Sequence, residues 1–436
     1  MNVSRRALLR ASGAAALSAA AMAANSKASA QAAGADLGEW DGVRSLFDLD
    51  PDTVHMSAML LAAHPRPVRD AIETHRRGLD TDTVRYLERH DNRLTAAARQ
   101  AAGDYLGIHP SHVALTDSTT MSVGLVYNGL QLRPGAEILT TDQDYFVTRE
   151  ALRLAAARTG ATVRTISLFD QVEDASADSL TGRIVEAIGP STRLVALTWV
   201  HSSTGLKLPI ARIAAALREI NADREEDDRV LLGVDAVHGF GVEDAGFADL
   251  GCDFFMAGCH KWLFGPRGTG IAAISDRGLA AVRPSIPSFT DDAVFAAWLQ
   301  DLDEPNGANN GRRMTPGGFK PFEHRWAMTQ AFDLHRQIGR ERVAARTHAL
   351  ASALKETLGE IRGIRVRTPT DPALSAGIVS FDIDGFAPDA VVSRLRERDI
   401  IASVAPYSVQ HVRLTPSIRN TEAEIEQVAS ALRAIA

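Results

Sequence analysis

The chain has 436 residues, 45% of them hydrophobic and 23% charged, enough apolar mass to bury a large core and divide into two domains. Its 47 Lys and Arg against 54 Asp and Glu leave a formal net charge of -7, which argues against a broad nucleic-acid-binding face. The two cysteines, Cys252 and Cys259, are too few for a disulfide framework or a cysteine-rich zinc site; both read as buried thiols, and no metal centre is expected.

At the N-terminus, Ser4-Arg5-Arg6-Ala7-Leu8-Leu9-Arg10 sets paired arginines ahead of an alanine-rich apolar run over 11–24, and Ala28-Ser29-Ala30 supplies small residues for a signal peptidase. The run is too short and too weakly apolar for a spanning helix, which needs about twenty apolar residues, and none follows later, so no stable membrane span is expected. The pattern resembles the twin-arginine signal, which exports folded proteins from the bacterial cytoplasm. That resemblance implies the twin-arginine machinery as a partner, a periplasmic or secreted destination, and a cofactor loaded before export. Residues 1–30 are thus expected to be a signal peptide and 31–55 an N-terminal arm.

Apolar runs of strand character follow at 113–116, 137–141, 162–166, 193–198, 230–234 and 254–257, separated by segments of helical period such as 152–159 and 210–220. This alternation predicts an α/β fold with a mainly parallel sheet covered on both faces, forming a large domain over 56–285. Such sheets bind ligands beyond the carboxyl ends of their strands. The stretch that follows, rich in Pro, Asp, Asn and Gly, reads as a loop excursion over 286–315. A smaller C-terminal α/β domain is expected over 316–436, with a long helical region at 323–361, strands at 377–383 and 412–414, and a closing helix at 422–435.

Two clusters carry chemistry. Leu231-Leu232-Gly233-Val234-Asp235 ends an apolar strand in a carboxylate, and Ala236-Val237-His238-Gly239 follows; Gly258-Cys259-His260-Lys261 then precedes Gly265-Pro266-Arg267-Gly268-Thr269-Gly270. A Walker-type loop has its glycines before the lysine, so the nucleotide reading fails on order. A lysine for a Schiff base, a carboxylate for a pyridine nitrogen, and amides with hydroxyls for a phosphate are instead the parts of a pyridoxal 5'-phosphate site. From Val54 to the C-terminus the chain resembles the class V aminotransferase family, the fold-type I PLP-dependent group that includes cysteine desulfurases, isopenicillin N epimerase and related lyases. The resemblance rests on Asp235-Ala236-Val237-His238, on His260-Lys261 with its trailing glycines, and on Arg413-Leu414-Thr415-Pro416-Ser417-Ile418-Arg419-Asn420-Thr421.

The resemblance implies Lys261 as the Schiff-base lysine, Asp235 against the pyridine nitrogen, His238 near the ring hydroxyl and His260 on the phosphate. Thr116-Asp117-Ser118-Thr119-Thr120 lies between a strand and a helical run, so free amides there, with the hydroxyls of Ser118, Thr119 and Thr120, are expected to cradle the phosphate. Gly258 stands where many relatives have Ser, which removes one side-chain contact. Tyr145 falls where relatives carry a ring-stacking His or aromatic residue, with Phe146 as the alternative stacker. Ser202 replaces an Asn beside the ring hydroxyl. Thr315 resembles the threonine that reaches the phosphate of a neighbouring subunit, implying a homodimer with active sites at its interface. Arg413 aligns with the arginine that clamps a substrate carboxylate, implying an amino acid or an amino-acid-terminated small molecule.

A desulfurase needs a mobile cysteine in the C-terminal domain, yet none lies beyond Cys259, and the segment 401–408 offers Ser403, Tyr407 and Ser408 instead. Persulfide chemistry is therefore disfavoured, while transamination, epimerisation, β-elimination and decarboxylation stay open. The chain is most like the epimerase branch, and its export signal resembles that of a periplasmic enzyme modifying a siderophore side chain. An exported binding protein that kept the fold and lost the chemistry is the alternative; Lys261, Asp235 and His260 together favour the enzyme.

Overall fold

The computed structural model describes residues 34–436, so the signal-peptide reading of 1–30 lies outside the described residues. Strands β1 (Val113–Thr116), β2 (Glu137–Thr141), β3 (Thr162–Ile166), β4 (Thr192–Thr198), β5 (Leu231–Asp235), β6 (Phe254–Gly258) and β7 (Gly270–Ile274) form a seven-stranded sheet in the order β1-β7-β6-β5-β4-β2-β3. Every β2 to β6 pairing is parallel, and β7 runs antiparallel to both of its neighbours. The central strands are buried along their whole length, because helices cover both faces; that is why they read as continuous apolar runs. The mainly parallel sheet is the one expected, with strand ends moved by a residue.

Strand β7 was not anticipated. Its sequence, Gly-Ile-Ala-Ala-Ile, is short and made of small residues, and its first glycine is set by a close approach. A Cβ on Gly270 would stand 2.8 Å from Thr116 Oγ1 and 2.9 Å from the Ser118 carbonyl carbon, so β7 can press against the turn after β1 only with glycine there. The long helices Arg66–Thr81 and Thr83–Leu106 were also passed over. They pack against Phe322–Trp326 and Met328–Ile338 on the large unit.

A second, antiparallel sheet joins β8 (Ile364–Val366), β9 (Val379–Ile383), β10 (Ser403–Val404) and β11 (Val412–Leu414) in the order β10-β11-β9-β8. Its core gathers Leu350, Leu354, Phe381, Val412 and Leu432 with Val54 and Met56 from the other end of the chain. Val54–His55 pairs in parallel with Ile400–Ile401, which holds that early segment on the smaller unit. Met328, Ala331 and Phe332, although late in the chain, pack in the core of the large sheet. The excursion before Thr315 is not plain loop: it carries the helix Asp292–Leu299, with Phe295 and Trp298 exposed. Among the described residues no helix is long and apolar enough to cross a membrane.

Candidate active site

The carboxyl ends of the parallel strands open into one cleft, closed on its far side by the smaller unit. Asp235 is the last residue of β5, paired with Thr198 on β4 and Met256 on β6, and is almost fully buried. Its Oδ1 accepts from the Val237 N–H at 3.2 Å. Burial raises the Asp235 carboxyl, against the pull of that amide and of the Lys261 ammonium. Lys261 follows β6 and lines the same cleft; burial lowers its amine to about 8, with Asp235 opposing. Its Nζ makes no hydrogen bond to a described residue, so an unengaged amine, more readily deprotonated than a free lysine, faces the cleft.

His238, in the turn after β5, accepts from Trp262 Nε1 at 3.2 Å through its Nδ1. An indole N–H only donates, so Nδ1 carries no proton, and in the neutral ring Nε2–H must be the donor. Burial drives the His238 pKa well down and holds the ring in that neutral form. It therefore presents a fixed donor to an anionic oxygen.

Opposite lies an anion cradle. Ser118 caps the helix Thr119–Gly129, its Oγ accepting from the Met121 N–H at 3.1 Å. That bond occupies the oxygen and leaves the hydroxyl proton to donate. The first-turn N–H groups of Thr119 and Thr120 have no partner within the helix and point outward with the positive end of its dipole. His260 reaches the same place, with its Nδ1 buried and without a partner. A Cβ on Gly258 would come within 3.0 Å of both His260 Cε1 and Thr119 Oγ1, so glycine is what lets these two side chains close on each other. An unpartnered imidazole nitrogen, free helix amides and spare hydroxyls fit a phosphate, and a buried lysine beside a strand-end carboxylate fits an aldehyde on a pyridine ring.

Tyr145 lines the cleft, while Phe146 turns outward and is 64% exposed. Asp144 fixes that turn: its Oδ2 accepts from Thr140 Oγ1 (3.0 Å), the Thr141 N–H (2.9 Å) and Thr141 Oγ1 (2.8 Å). On the substrate side stands Arg413, in the middle of β11 and only 2% exposed. Its Nη1 donates to the Ser202 carbonyl (2.7 Å), its Nη2 to the Val404 carbonyl (2.8 Å) and its Nε to Ser403 Oγ (3.3 Å). Ser202 Oγ in turn shares a 2.8 Å hydrogen bond with Tyr407 Oη.

The structure thus brings Lys261, Asp235, His238, His260, Ser118, Thr119, Thr120, Tyr145, Ser202 and Arg413 into one cleft. Thr315 is corrected. It lies fully buried beneath β1, its Oγ1 accepting from the Leu115 N–H (3.1 Å) and donating to the Gly311 carbonyl (2.7 Å). That hydroxyl holds β1 in place and is not free to reach a neighbouring subunit. Sequence reasoning missed Asp144 and Tyr407. The Thr140-Thr141-Asp142-Gln143-Asp144 run at the end of β2 was the available signal for the first. The second showed only as the residue standing where a desulfurase would have cysteine.

A lysine, a strand-end carboxylate and an anion cradle at the carboxyl edge of a mainly parallel sheet define the class of pyridoxal-phosphate-dependent enzymes of fold type I. The aminotransferase class-V family model matches residues 62–428, and the chain belongs to that family, with pyridoxal 5'-phosphate as its cofactor. It is 29% identical over 409 residues to an isopenicillin N epimerase of Amycolatopsis lactamdurans, covering 90% of this chain and 98% of that one. To a probable cysteine desulfurase of Haemophilus influenzae it is 24% identical over 355 residues, covering 77% and 75%. Among solved structures, the cystine C-S lyase C-DES in complex with cysteine persulfide superposes with a TM-score of 0.78 at 23% identity, over 88% of this chain and 98% of that one.

Proposed function

We propose that the protein is an exported enzyme acting at the α-carbon or amino group of an amino acid whose α-carboxylate is free, with epimerisation ahead of transamination and elimination. The observation that carries the substrate class is Arg413. A guanidinium has five N–H donors. Three are taken by Ser202, Val404 and Ser403, which lock the plane and leave two for a carboxylate in the cleft. Burial lowers Arg413 to about 10, so it stays charged at neutral pH.

Bound in this cleft, pyridoxal phosphate supplies an electron sink for the bonds at the α-carbon. The chain's own residues do the rest. Ser118, the amides of Thr119 and Thr120, and His260 would hold the phosphate. Asp235 would accept a hydrogen bond from the ring nitrogen, His238 Nε2–H would donate to the ring oxygen, and Tyr145 would supply an aromatic face for the ring. Lys261 Nζ, lowered to about 8, takes up and returns a proton near neutral pH. Epimerisation is favoured by relatives of that activity that match nearly end to end. Desulfuration is disfavoured because Cys252 and Cys259 are buried and burial raises both thiols, Cys259 to about 12. The twin-arginine pattern at Arg5-Arg6 supports delivery beyond the cytoplasm, and a homodimer is the form typical of the family.

The test is to reconstitute the purified protein with pyridoxal phosphate and incubate it in D2O with amino acids, free and joined through their side chains. Epimerisation puts deuterium at the α-carbon of both stereoisomers. Oxo-acid formation would mark a transaminase and loss of the side chain a lyase. A protein that stays colourless on reconstitution would overturn the enzymatic reading.

A further inference from the structure

A separate pocket of about 340 Å³ lies where the N-terminal arm meets the segment that follows β11, and it shares no lining residue with the cleft. Arg419 lines it and is only 6% exposed. Burial lowers its guanidinium to about 10, so it is charged at neutral pH. Among the described residues no carboxylate lies within ion-pair distance of it. Its Nε donates to Ser417 Oγ at 3.4 Å, while Nη1 and Nη2 make no hydrogen bond to a described residue. The rings of Phe264 and Phe47, 5.6 and 5.8 Å from the guanidinium carbon, offset only part of the cost of burying an unpaired cation. His55 Nε2, in the same pocket, is also buried without a partner. Packing alone satisfies neither group; a carboxylate in the pocket would.

The pocket carries the opposite charge as well. Glu424 caps its helix through Oε2, which accepts from the Thr421 N–H (2.7 Å) and from Asn420 Nδ2 (3.3 Å). Its Oε1 accepts no hydrogen bond from a described residue and has Arg44 Nη2 at a loose 3.8 Å. Asp50 accepts from the Asp52 N–H (3.1 Å) and Thr53 Oγ1 (3.3 Å) and has no cation at ion-pair distance among the described residues. Phe47, Leu49 and Pro51 add an apolar wall. A free guanidinium fork, an open carboxylate oxygen and apolar surface fit a small zwitterion, whereas a bare phosphate would meet Glu424 and Asp50 with like charge.

We propose that this pocket is a second binding site, apart from the catalytic cleft, for a free α-amino acid with an apolar side chain, its carboxylate paired with Arg419 and its ammonium held by Glu424 Oε1. The site abuts the turn of the catalytic lysine, since Phe264, beside Arg419, donates its N–H to the Lys261 carbonyl at 3.0 Å.

The experiment uses borohydride-reduced holoenzyme, in which the cofactor is fixed to its lysine and cannot pass to an added amine. Calorimetry with L-valine, L-leucine and L-methionine is expected to find a site for at least one of them. The N-acetyl derivative of that amino acid, which lacks the ammonium, and its amide, which lacks the carboxylate, should each bind roughly tenfold or more weakly, the scale of one charge-assisted hydrogen bond. Arg419→Met keeps an unbranched stem between the two phenyl rings and should abolish binding, and Arg419→Lys should restore part of it. Glu424→Gln keeps the cap, because a glutamine oxygen can still accept from the Thr421 N–H; it should weaken the amino acid and leave its N-acetyl derivative unchanged. If Arg419→Met does not fold, as a denaturant melt would show, Glu424→Gln carries the test. Arg413→Ala separates the pocket from the cleft and should leave this binding intact. The proposal is overturned if none of the three amino acids binds, if both derivatives bind as tightly as the parent, or if binding survives Arg419→Met or Glu424→Gln undiminished but is lost in Arg413→Ala.

Discussion

Arg413→Ala should damage substrate binding far more than cofactor binding. The wild-type guanidinium is held by three bonds to its own chain, which leaves two donors for the ligand. Losing one partner of a desolvated, hydrogen-bonded charge pair costs about 2–5 kcal/mol, or roughly 30-fold to several thousandfold in affinity. The same substitution strips a donor from the carbonyls of Ser202 and Val404, a separate stability cost of about 1–3 kcal/mol for each carbonyl that water does not reach. The two effects must be told apart. Calorimetry on holoenzyme with an amino acid that the wild type binds, and with its α-carboxamide, does so: the variant should lose affinity for the acid and little for the amide, while denaturant melts record the structural loss. Arg413→Lys keeps the charge without the planar fork and should fall between. Equal losses on acid and amide, or release of the cofactor, would refute the clamp.

Three further outcomes follow from the same geometry. Borohydride reduction of the holoenzyme and peptide mapping should place the pyridoxyl group on Lys261 and leave Lys261→Ala unlabelled; a label on another lysine would overturn the site. His335 is fully buried near the rings of Tyr105 and Phe264, and burial lowers it to about 4 from an ordinary 6.5. The unfolded chain therefore takes up a proton that the folded one refuses as pH falls from about 6.5 towards 4, and by pH 5 this costs about 2 kcal/mol. His335→Leu should flatten that part of the stability profile in denaturant melts, and an unchanged slope would place the acid sensitivity elsewhere. Replacing Arg5 and Arg6 with lysine should strand the precursor in the cytoplasm, as fractionation would show, whereas unimpaired export would point to an unfolded-chain route.

What could be read from the sequence follows from how each element is buried. Strands β1, β2 and β4 to β6 announce themselves because strands covered on both faces are largely apolar, and the mostly exposed edge strand β3 because its Thr, Val and Ile favour strands. Strand β7 does not, since its glycine and alanines answer to close packing and carry little strand propensity. The helix Arg66–Thr81 hides for a related reason: only Pro67 and Val68 are fully buried, so few apolar residues mark its inward face. Wherever helix and strand alternate, the loops at the carboxyl edge were the first place to look, and Asp235, Lys261 and Ser118 lie there.

The smaller unit obeys no such positional rule, and there local sequence and spatial neighbourhood part company. Arg413 was legible only through the motif that contains it, because a strand of three residues says nothing about which cleft its middle side chain enters. Thr315 matched a motif equally well, yet the packing of Leu115 and Gly311 around it makes it a structural hydroxyl. Tyr407 meets Ser202 across 205 residues of chain, and a second, open groove beside it is assembled from β2, β3, a helix and a distant loop. Such contacts are fixed by tertiary geometry and not by any local pattern. The chemistry common to the family thus sits where strand order puts it, while the features able to distinguish one substrate from another are made by segments that meet only in the folded chain.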